Sequence, residues 1–175
     1  MKTSAAALLI VASVASGAEA FAPAASHNNA RAATSLNSHF TSIETQLFHK
    51  QTLLKALKDM GVKSKALKQD GQQIEARGYK GETIMADIVI PQQNNYDVAF
   101  RYNGESYELV TDLQFWQQAL PVDAFMERVN QRYAINNLID KSSEDGFNVD
   151  SMVTAGDGTV TLEMSRYSTK RISVE

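Results

Sequence analysis

The chain has 175 residues, of which 17 are basic and 20 are acidic, and its net charge at pH 7 is −3. It contains no cysteine, which excludes disulfides, thiolate nucleophiles, and zinc or iron–sulfur sites held by cysteine. The acidic balance argues against a general nucleic-acid binder, because such proteins need a basic surface to contact phosphates.

The N-terminal segment has the composition of a targeting sequence. Lys2 precedes an apolar run at residues 5–15, and residues 18–20 read Ala-Glu-Ala, an A-x-A cleavage signal. The apolar run is too short to span a bilayer of about 30 Å. From Phe21 onward no acidic residue occurs before Glu44, which is typical of a transit peptide.

The junction Ala20-Phe21-Ala22-Pro23 resembles the two-part plastid presequence of algae with red-type secondary plastids, in which a phenylalanine follows the signal cut. We therefore predict a signal peptide at 1–20, a transit peptide at 21–37 and a single α+β domain at 38–175. The expected location is the plastid (chloroplast) stroma or the stromal face of the thylakoid. Loss of two basic residues and one acidic residue with the leader changes the net charge from −3 to about −4.

The domain is predicted to begin with a strand and a helix. Alternation at 39–47 favours a strand, although Thr41 and Glu44 also fit a helix capping box. Apolar spacing predicts a helix at 50–60, and Gly61 is placed to end it.

Two further features are predicted in the next part of the chain. The Asp-Gly pair at 70–71 predicts a hairpin that pairs Leu67 with Ile74. The apolar run at 84–90 predicts one continuous strand. Asp87 interrupts this run, and we expect its carboxylate at an edge or paired.

The clearest hairpin signal is the Asn-Gly pair at 103–104. A two-residue turn there would pair Phe100 with Tyr107 and Val98 with Leu109. These four side chains would share one apolar face, because side chains alternate along a strand.

A second helix and a last hairpin complete the prediction. Apolar residues at helical spacing predict a helix over 122–140. The Asp-Gly pair at 157–158 predicts a hairpin with Val153 opposite Leu162. The predicted fold class is α+β, a mostly antiparallel sheet built from hairpins with two helices packed on one face.

Motifs for catalysis or metal binding are missing from the sequence. His39 and His49 are the histidines of the predicted domain, and their spacing fits no helical metal motif. No G-x-S-x-G nucleophile elbow occurs. We predict a protein that is not an enzyme and that has no cofactor and no metal site.

Basic residues are concentrated between residues 50 and 80, which can mark a docking face for an acidic partner or only a solvated surface. In the second helix, two arginines four residues apart line one side. The lone tryptophan is a candidate anchor, since tryptophan is enriched at interfaces. The predicted interaction residues are Lys55, Lys58, Arg101, Trp116, Arg128 and Arg132.

Several short motifs in a fixed order carry a family resemblance. They include Ser38-His39-Phe40-Thr41, Arg77-Gly78-Tyr79, the strand from Tyr96 to Gly104, and Phe125-Met126-Glu127-Arg128-Val129. Together they resemble the hypothetical chloroplast reading frame thirty-five family of red-lineage plastids and cyanobacteria. The resemblance implies no established enzymatic activity, and it suggests a role near the thylakoid in photosystem biogenesis or stability.

The leading hypothesis is a non-catalytic plastid accessory protein that binds a photosystem or an assembly factor, with peripheral membrane association and salt-sensitive retention on thylakoids. One alternative is a small-ligand binder or enzyme that uses Asp87, Asp97 and Asp112 with Arg101. Another is a plastid RNA-binding protein, which the acidic net charge disfavours.

Overall fold

The structure is a computed structural model, and it describes residues 6–12, 39–67 and 71–166. These residues divide into two compact units. The larger unit contains 39–67 and 71–136, and the smaller one contains 6–12 and 137–166. The predicted cleavage sites and domain bounds at 20, 37 and 38 stay predictions.

The described residues form ten strands and two α-helices. The strands are β1 (Ala6–Ala12), β2 (Thr41–Ile43), β3 (Lys65–Ala66), β4 (Ile74–Arg77), β5 (Thr83–Ala86), β6 (Ile88–Ile90), β7 (Val98–Tyr102), β8 (Tyr107–Thr111), β9 (Asn148–Thr154) and β10 (Val160–Arg166). The helices are α1 (Lys50–Asp59) and α2 (Val122–Glu144), with short 3-10 helices at Tyr79–Gly81 and Leu113–Phe115.

The larger unit is built on a five-stranded antiparallel sheet in the order β2-β8-β7-β6-β3. Both helices contribute to the apolar core on one face of this sheet. The sheet supplies Ile88, Ile90, Val98, Phe100, Tyr107 and Leu109, and the helices supply Leu53, Ala56, Leu57, Phe125, Met126, Val129 and Tyr133. The predicted α+β class, with two helices on one face, is confirmed.

The two predicted helices occur close to their predicted bounds. After α1, Gly61 takes a positive φ of 73°, and the N–H of Val62 donates to the carbonyl of Leu57 at 2.9 Å. The left-handed conformation of Gly61 turns the chain so that a following N–H can bond a carbonyl at the helix end. The sequence predicts this helix end at Gly61. Helix α2 runs four residues beyond the predicted end at 140.

The prediction of one strand at 84–90 is wrong, because Asp87 divides the run into β5 and β6. Strand β5 pairs with β4, whereas β6 joins the large sheet. The N–H of Asp87 donates to the carbonyl of Phe100 at 3.0 Å, and its carboxylate accepts from the N–H of Tyr102 at 2.8 Å. These hydrogen bonds fix the corner at which the chain changes sheets.

The β4–β5 hairpin packs small side chains against the second face of the large sheet. Ala76 and Ala86 from the hairpin form a buried cluster with Val89 and Ala99. The contact on the second face is therefore a thin layer of alanine and valine side chains. This contact holds the β4–β5 hairpin, and with it the β4–β5 turn, against the sheet.

The strand predicted at 39–47 is much shorter, since β2 contains only Thr41–Ile43. The hydroxyl of Thr45 then donates to the carbonyl of Tyr107 and accepts the N–H of Leu47. A threonine side chain that replaces backbone partners in this way ends the regular ladder.

The register predicted for the β7–β8 hairpin is wrong by two residues. Phe100 faces Leu109, and Tyr102 faces Tyr107. Asn103 has no positive φ, and its side chain accepts two backbone N–H groups of a four-residue loop. Because the shift is even, the predicted face survives, and Val98, Phe100, Tyr107 and Leu109 all lie in the core.

The hairpin predicted at 70–71 does not form as expected. Asp70 lies outside the described residues. Ile74 pairs with Ala86 rather than with Leu67, and β3 pairs with β6. The two-residue β3 instead extends the edge of the large sheet, which leaves β4 free to pair with the next strand.

The smaller unit is a three-stranded antiparallel sheet in the order β1-β10-β9. The predicted pairing of Val153 with Leu162 is wrong by one residue, because Thr161 faces Val153. Gly158 takes a positive φ of 86° in a three-residue loop, which adds one residue to the predicted turn. An odd shift reverses the faces, and Val153 is 60% exposed. Strand β1 belongs to the segment that the sequence assigns to the signal peptide.

Candidate functional site

Four aromatic side chains from distant parts of the chain meet in the larger unit. Tyr79 and Phe115 are stacked, with ring centroids 5.0 Å apart and planes inclined by 18°. Tyr96 lies 4.3 Å from Phe115, and His39 lies edge-on to Tyr79 at 5.0 Å. We name His39, Tyr79, Tyr96 and Phe115 the ring cluster. Its tyrosines and Phe115 are half-buried and His39 is exposed, so the rings are ordered but still reach solvent.

A close approach of the Phe40 ring to Gly78 positions the ring cluster. Gly78 is buried, and a Cβ at this position would overlap the ring of Phe40. Its φ of −113° is open to any residue, so a larger residue here is opposed by the Phe40 ring, which would have to shift, and not by the backbone conformation. The motif that contains His39 therefore packs directly onto the motif that contains Tyr79.

An arginine–aspartate pair holds the base of the β4–β5 turn. The guanidinium of Arg77 donates to both carboxylate oxygens of Asp97, at 3.0 and 2.9 Å, and to the side chain of Asn95 at 2.9 Å. Asp97 is only 3% exposed, and it also accepts the backbone N–H of Arg77. These hydrogen bonds, and then the charge of Asp97, raise the pKa of Arg77 above its usual range.

The cation of Lys80 lies on the ring cluster. Its Nζ is 5.2 Å from the centroid of the Tyr79 ring, a distance at which a cation is attracted to the ring face. Lys80 has a left-handed φ of 52°, which is uncommon for a residue with a side chain. The short 3-10 helix at Tyr79–Gly81 thus presents one ring and one cation together.

A buried glutamine supports the opposite side of the cluster. The Nε2 of Gln92 donates to the carbonyls of Tyr96 at 2.6 Å and Phe115 at 3.3 Å. Its Oε1 accepts the N–H of Gln117 at 2.6 Å. Asn94 adds a hydrogen bond to the Phe115 carbonyl at 2.7 Å. The backbones that carry Tyr96 and Phe115 are therefore cross-linked by amide side chains.

A cleft of about 570 Å³ borders this network. It is lined by Pro91, Gln92, Gln93, Gln117 and Gln118. Side-chain amides dominate its walls, and no lining residue carries a charge. We name it the glutamine cleft.

The predicted cationic contacts lie on the helices. Lys55 and Lys58 are exposed on α1, Arg128 is exposed on α2, and Arg132 is half-exposed. Both helices bury their opposite sides in the same core. These four side chains are solvent-facing, as a contact with a partner requires.

The other two predicted contacts are engaged within the protein. Arg101 forms an ion pair with Glu108 across β7 and β8 at 2.6 Å. The indole N–H of Trp116 donates to the carbonyl of Leu120 at 2.7 Å, and its ring meets Phe125 edge-on at 5.3 Å. Trp116 is half-buried against the core, where it joins the glutamine cleft segment to α2.

The carboxylates of the enzymatic alternative have separate structural partners. Asp87 accepts a backbone N–H of β7, Asp97 holds Arg77, and Asp112 accepts the N–H of Gln114 at 3.0 Å. Two buried side-chain oxygens, Oδ2 of Asp112 and Oγ1 of Thr111, make no hydrogen bond to any described residue. Within 6–12, 39–67 and 71–166, no group of three or more acidic or histidine residues is arranged to hold a metal ion.

No pattern in the sequence predicted the ring cluster as a site. Its members are separated by up to 76 positions, and each ring alone fits a core or surface residue. One signal was present, because His39, Tyr79 and Tyr96 all stand in the motifs that carry the family resemblance. Among the residues that the structure describes, no helix is both long and apolar enough to span a membrane.

Comparison with known proteins agrees with the motifs. A family described as "Protein of unknown function (DUF1257)" matches residues 56–163. The chain is 37% identical over 130 residues to the "Uncharacterized protein ycf35" of Guillardia theta, which covers 74% of this chain and 98% of that relative. The proteins of the same name from Cyanophora paradoxa and Pyropia yezoensis are 32% and 30% identical over 74% and 75% of this chain, and 98% of each is matched.

No solved structure matches the chain. The ycf35 relatives are encoded in the plastid genomes of algae, which supports a plastid location for this protein. The match to the family covers more than half of the chain, and the relatives are matched over nearly their full length. The chain therefore belongs to the ycf35 family, the family described as DUF1257.

Proposed function

We propose that this protein is a non-catalytic accessory protein of the plastid that binds a photosynthetic complex or its assembly machinery. It would act in photosystem biogenesis or stability, in the stroma or on the stromal face of the thylakoid. The plastid location of the relatives supports the compartment. The ring cluster is the observation that carries the proposal, since its rings are ordered by mutual contacts and still reach solvent.

The ring cluster has the properties of a protein-binding surface. Energetically important residues at interfaces are mostly aromatic or arginine side chains, and they are ordered before binding. Tyr79, Tyr96 and Phe115 are held by mutual contacts, and Arg77 is fixed by Asp97. Little side-chain freedom would be lost when a partner covers them.

The cations of α1 and α2 have a supporting role in this proposal. Exposed charges contribute little affinity but accelerate encounter with an oppositely charged surface. We assign the retention of a bound partner to the rings and the approach of the partner to Lys55, Lys58, Arg128 and Arg132.

The two alternatives receive less support. Asp87, Asp97 and Asp112 are each used by a different structural contact. A base-stacking surface on β7 and β8 would use the rings of Phe100, Tyr102 and Tyr107, but Phe100 and Tyr107 are buried in the core and Tyr102 alone of the three is exposed. We therefore do not assign catalysis or RNA binding to this protein.

Retention on thylakoids tests the proposal. The full chain with a C-terminal tag is mixed with stroma and thylakoids, and the bound fraction is measured at low salt and at about 1 M salt, where the Debye length is about 3 Å. Wild type is expected to bind thylakoids or a detergent-solubilised photosystem fraction at low salt and to bind more weakly at high salt, where the charges that speed the approach of the partner are screened. The double variant Tyr79→Ala/Phe115→Ala is expected to lose about tenfold or more in affinity.

The matched control is Lys55→Ala/Lys58→Ala. This variant is expected to slow binding at low salt and to change the affinity at high salt by less than about twofold. If the wild-type chain stays monomeric in the stroma fraction at low salt, the proposal is wrong. If the lysine variant loses binding and the ring variant keeps it, the ring cluster is not the contact.

A further inference from the structure

One edge of strand β10 is paired with β1, which lies in the segment that the sequence assigns to the signal peptide. We propose that this edge accepts a β-strand of the partner protein once residues 1–20 are removed. The incoming segment is extended and pairs antiparallel with β10 in the place of β1. The proposal rests on the proposed function and on the predicted cleavage, and it adds the kind of segment that the partner must present.

The pairing of β1 with β10 indicates what this edge can bind. Strand β1 has seven residues, and its antiparallel register with β10 runs without a shift from Ala6 opposite Arg166 to Ala12 opposite Val160. A regular strand edge is a template for a further strand, because its N–H and C=O groups are spaced to pair. In strand addition these backbone hydrogen bonds supply the affinity. The β10 edge therefore has the geometry that strand addition requires.

Removal of β1 would leave the sheet of the smaller unit incomplete. Its remaining strands would be β9 and β10, which follow each other in the chain and pair as a hairpin. A two-stranded hairpin alone is only marginally stable in water, whereas three strands with a buried face can form a stable sheet. A strand supplied by the partner would restore the three-stranded arrangement that β1 completes in the full chain.

The other edge of this hairpin is less suited to an added strand. Glu163 of β10 faces Ser151, and the next residue of β10 faces Val149. Asp150 is therefore an extra residue in β9, which makes a β-bulge there. Bulges and charged side chains on an edge strand hinder pairing with a further strand. Strand addition is therefore assigned to β10, whose register with β1 contains no bulge.

The side chains of β10 determine the sequence of the incoming segment. Val160, Leu162 and Met164 are buried and share one face, because side chains alternate along a strand. The residues of β1 in register with these three are all apolar. Glu163 belongs to the other face and is exposed. The matching segment has apolar residues at alternate positions and a basic residue opposite Glu163, since oppositely charged cross-strand pairs are favourable.

A second copy of this chain is a poorer occupant of the edge. A two-fold antiparallel pairing that used all of β10 would be centred on Glu163, and it would place two glutamates opposite each other. A pairing centred on Leu162 would avoid this repulsion but would use only residues 160–164. A foreign strand can use the whole of β10 without a like-charge pair, which favours a partner protein.

Peptide binding by the processed chain tests this inference. The full-length chain with a C-terminal tag is expressed in an alga with a red-type secondary plastid, and the processed chain is purified from the plastids. The probes are two fluorescent, end-blocked peptides with the sequence of residues 6–12, one with Leu9→Lys and the other with Leu9→Glu. Fluorescence anisotropy is expected to show that the processed chain binds the lysine peptide about fivefold more tightly.

The unprocessed chain and a charge swap sharpen the test. The unprocessed full chain should bind both peptides about tenfold or more weakly than the processed chain, because the tethered β1 competes for the edge. Glu163→Lys should reverse the preference, so that the glutamate peptide binds about fivefold more tightly. Glu127→Lys makes the same charge change at an exposed position of α2 and should keep the wild-type preference. Circular dichroism establishes that each variant is folded.

Several results would overturn the inference. Equal binding of the two peptides by the processed chain, or an unchanged preference in Glu163→Lys, would show that no segment pairs opposite Glu163. Mass spectrometry that finds residues 6–12 in the processed chain would mean that the edge stays covered. Equal affinities of the processed and unprocessed chains would mean that β1 does not cover it. A processed chain that is dimeric by light scattering, and that the peptides dissociate, would assign the edge to a second copy.

The outcome separates this inference from the proposed function. If thylakoids retain the chain through Tyr79 and Phe115 while neither peptide binds, the accessory function stands and the strand-accepting edge is wrong. If the peptides bind with the expected variant pattern while no plastid fraction retains the chain, the edge stands and the photosynthetic partner is wrong.

Discussion

The ring cluster and two exposed cations, Lys58 on α1 and Arg128 on α2, both reach solvent, but their side chains are held very differently. Rings in the cluster contact one another at centroid distances between 4.3 and 6.1 Å. The guanidinium of the nearby Arg77 is hydrogen-bonded to the carboxylate of Asp97. Lys58 and Arg128 form no ion pair with other described residues. Ordered rings can retain a partner, whereas exposed cations without an ion pair lose side-chain entropy on binding and are screened by salt. Exposure alone therefore does not identify a contact surface, because it does not show whether a side chain is ordered.

The largest effect on the free energy of unfolding is expected from Asp97→Ala, which removes the carboxylate that holds Arg77 beside the ring cluster. This change leaves Arg77 without its carboxylate, and we expect the free energy of unfolding to fall by about 2–3 kcal/mol, less than for a fully buried pair because Arg77 is 47% exposed. Urea unfolding measures the loss. Asp97→Asn keeps the shape and one acceptor, and should lose clearly less. Equal losses for both variants would mean that the charge of Asp97 carries the whole effect and that the acceptor kept by asparagine contributes nothing.

A smaller effect is expected from filling the space under the cluster. Gly78→Ala forces the Phe40 ring to move and should lower the free energy of unfolding by about 1–2 kcal/mol. Gly156→Ala is the matched control, because Gly156 has no positive φ and no neighbouring atom within contact distance of a Cβ. Thermal unfolding compares the two variants. A neutral Gly78→Ala would show that Phe40 does not need to lie against Gly78.

The helix cations should be the least sensitive to replacement. Lys58→Ala and Arg128→Ala are expected to change the free energy of unfolding by less than about 0.5 kcal/mol, because both side chains are exposed and away from the core. The same urea experiment checks this. A loss comparable to that of Asp97→Ala would mean that these residues form structural ion pairs, and the contrast between the two regions would disappear.

The smallest effect on stability is expected at the turn of the smaller unit, which contains Asp157. A pH titration of this residue measures it. The backbone N–H of Thr159, and then its hydroxyl, lower the pKa of Asp157, with the N–H at 2.9 Å from the carboxylate. Stabilisation by a lowered carboxyl pKa is complete above the pKa of the unfolded chain and is lost as the pH falls through the folded value. NMR titration of Asp157 should give a pKa below that of Asp157 in a Thr159→Gly variant. This variant keeps the backbone N–H and removes the hydroxyl, so equal pKa values would contradict the contribution assigned to the Thr159 hydroxyl.

The sequence predicts side-chain faces better than pairings, and the two hairpins show why. In β7 and β8 the Asn-Gly signal gave a register wrong by two, yet Phe100 and Leu109 still face the core, because an even shift preserves the face. In β9 and β10 one extra loop residue turned Val153 outward. Both errors arose from loop geometry, which side-chain hydrogen bonds such as those of Asn103 decide.

The candidate site was less predictable than the helices. Helix α1 follows from apolar spacing and a terminal glycine, which are local properties. The ring cluster depends on the corner at Asp87, which sends β5 and β6 into different sheets and brings Tyr79 to Phe115. No local pattern contains that information, because a carboxylate inside an apolar run fits an edge strand equally well.

Photo-crosslinking tests most directly whether the ring cluster is the contact surface. A benzoyl-phenylalanine replaces Tyr79 in one full-length chain and Lys58 in another, and each chain is irradiated with solubilised thylakoids. A surface that retains its partner through the rings should give a defined protein adduct from position 79 and little or none from position 58. An adduct from position 58 alone would contradict this assignment.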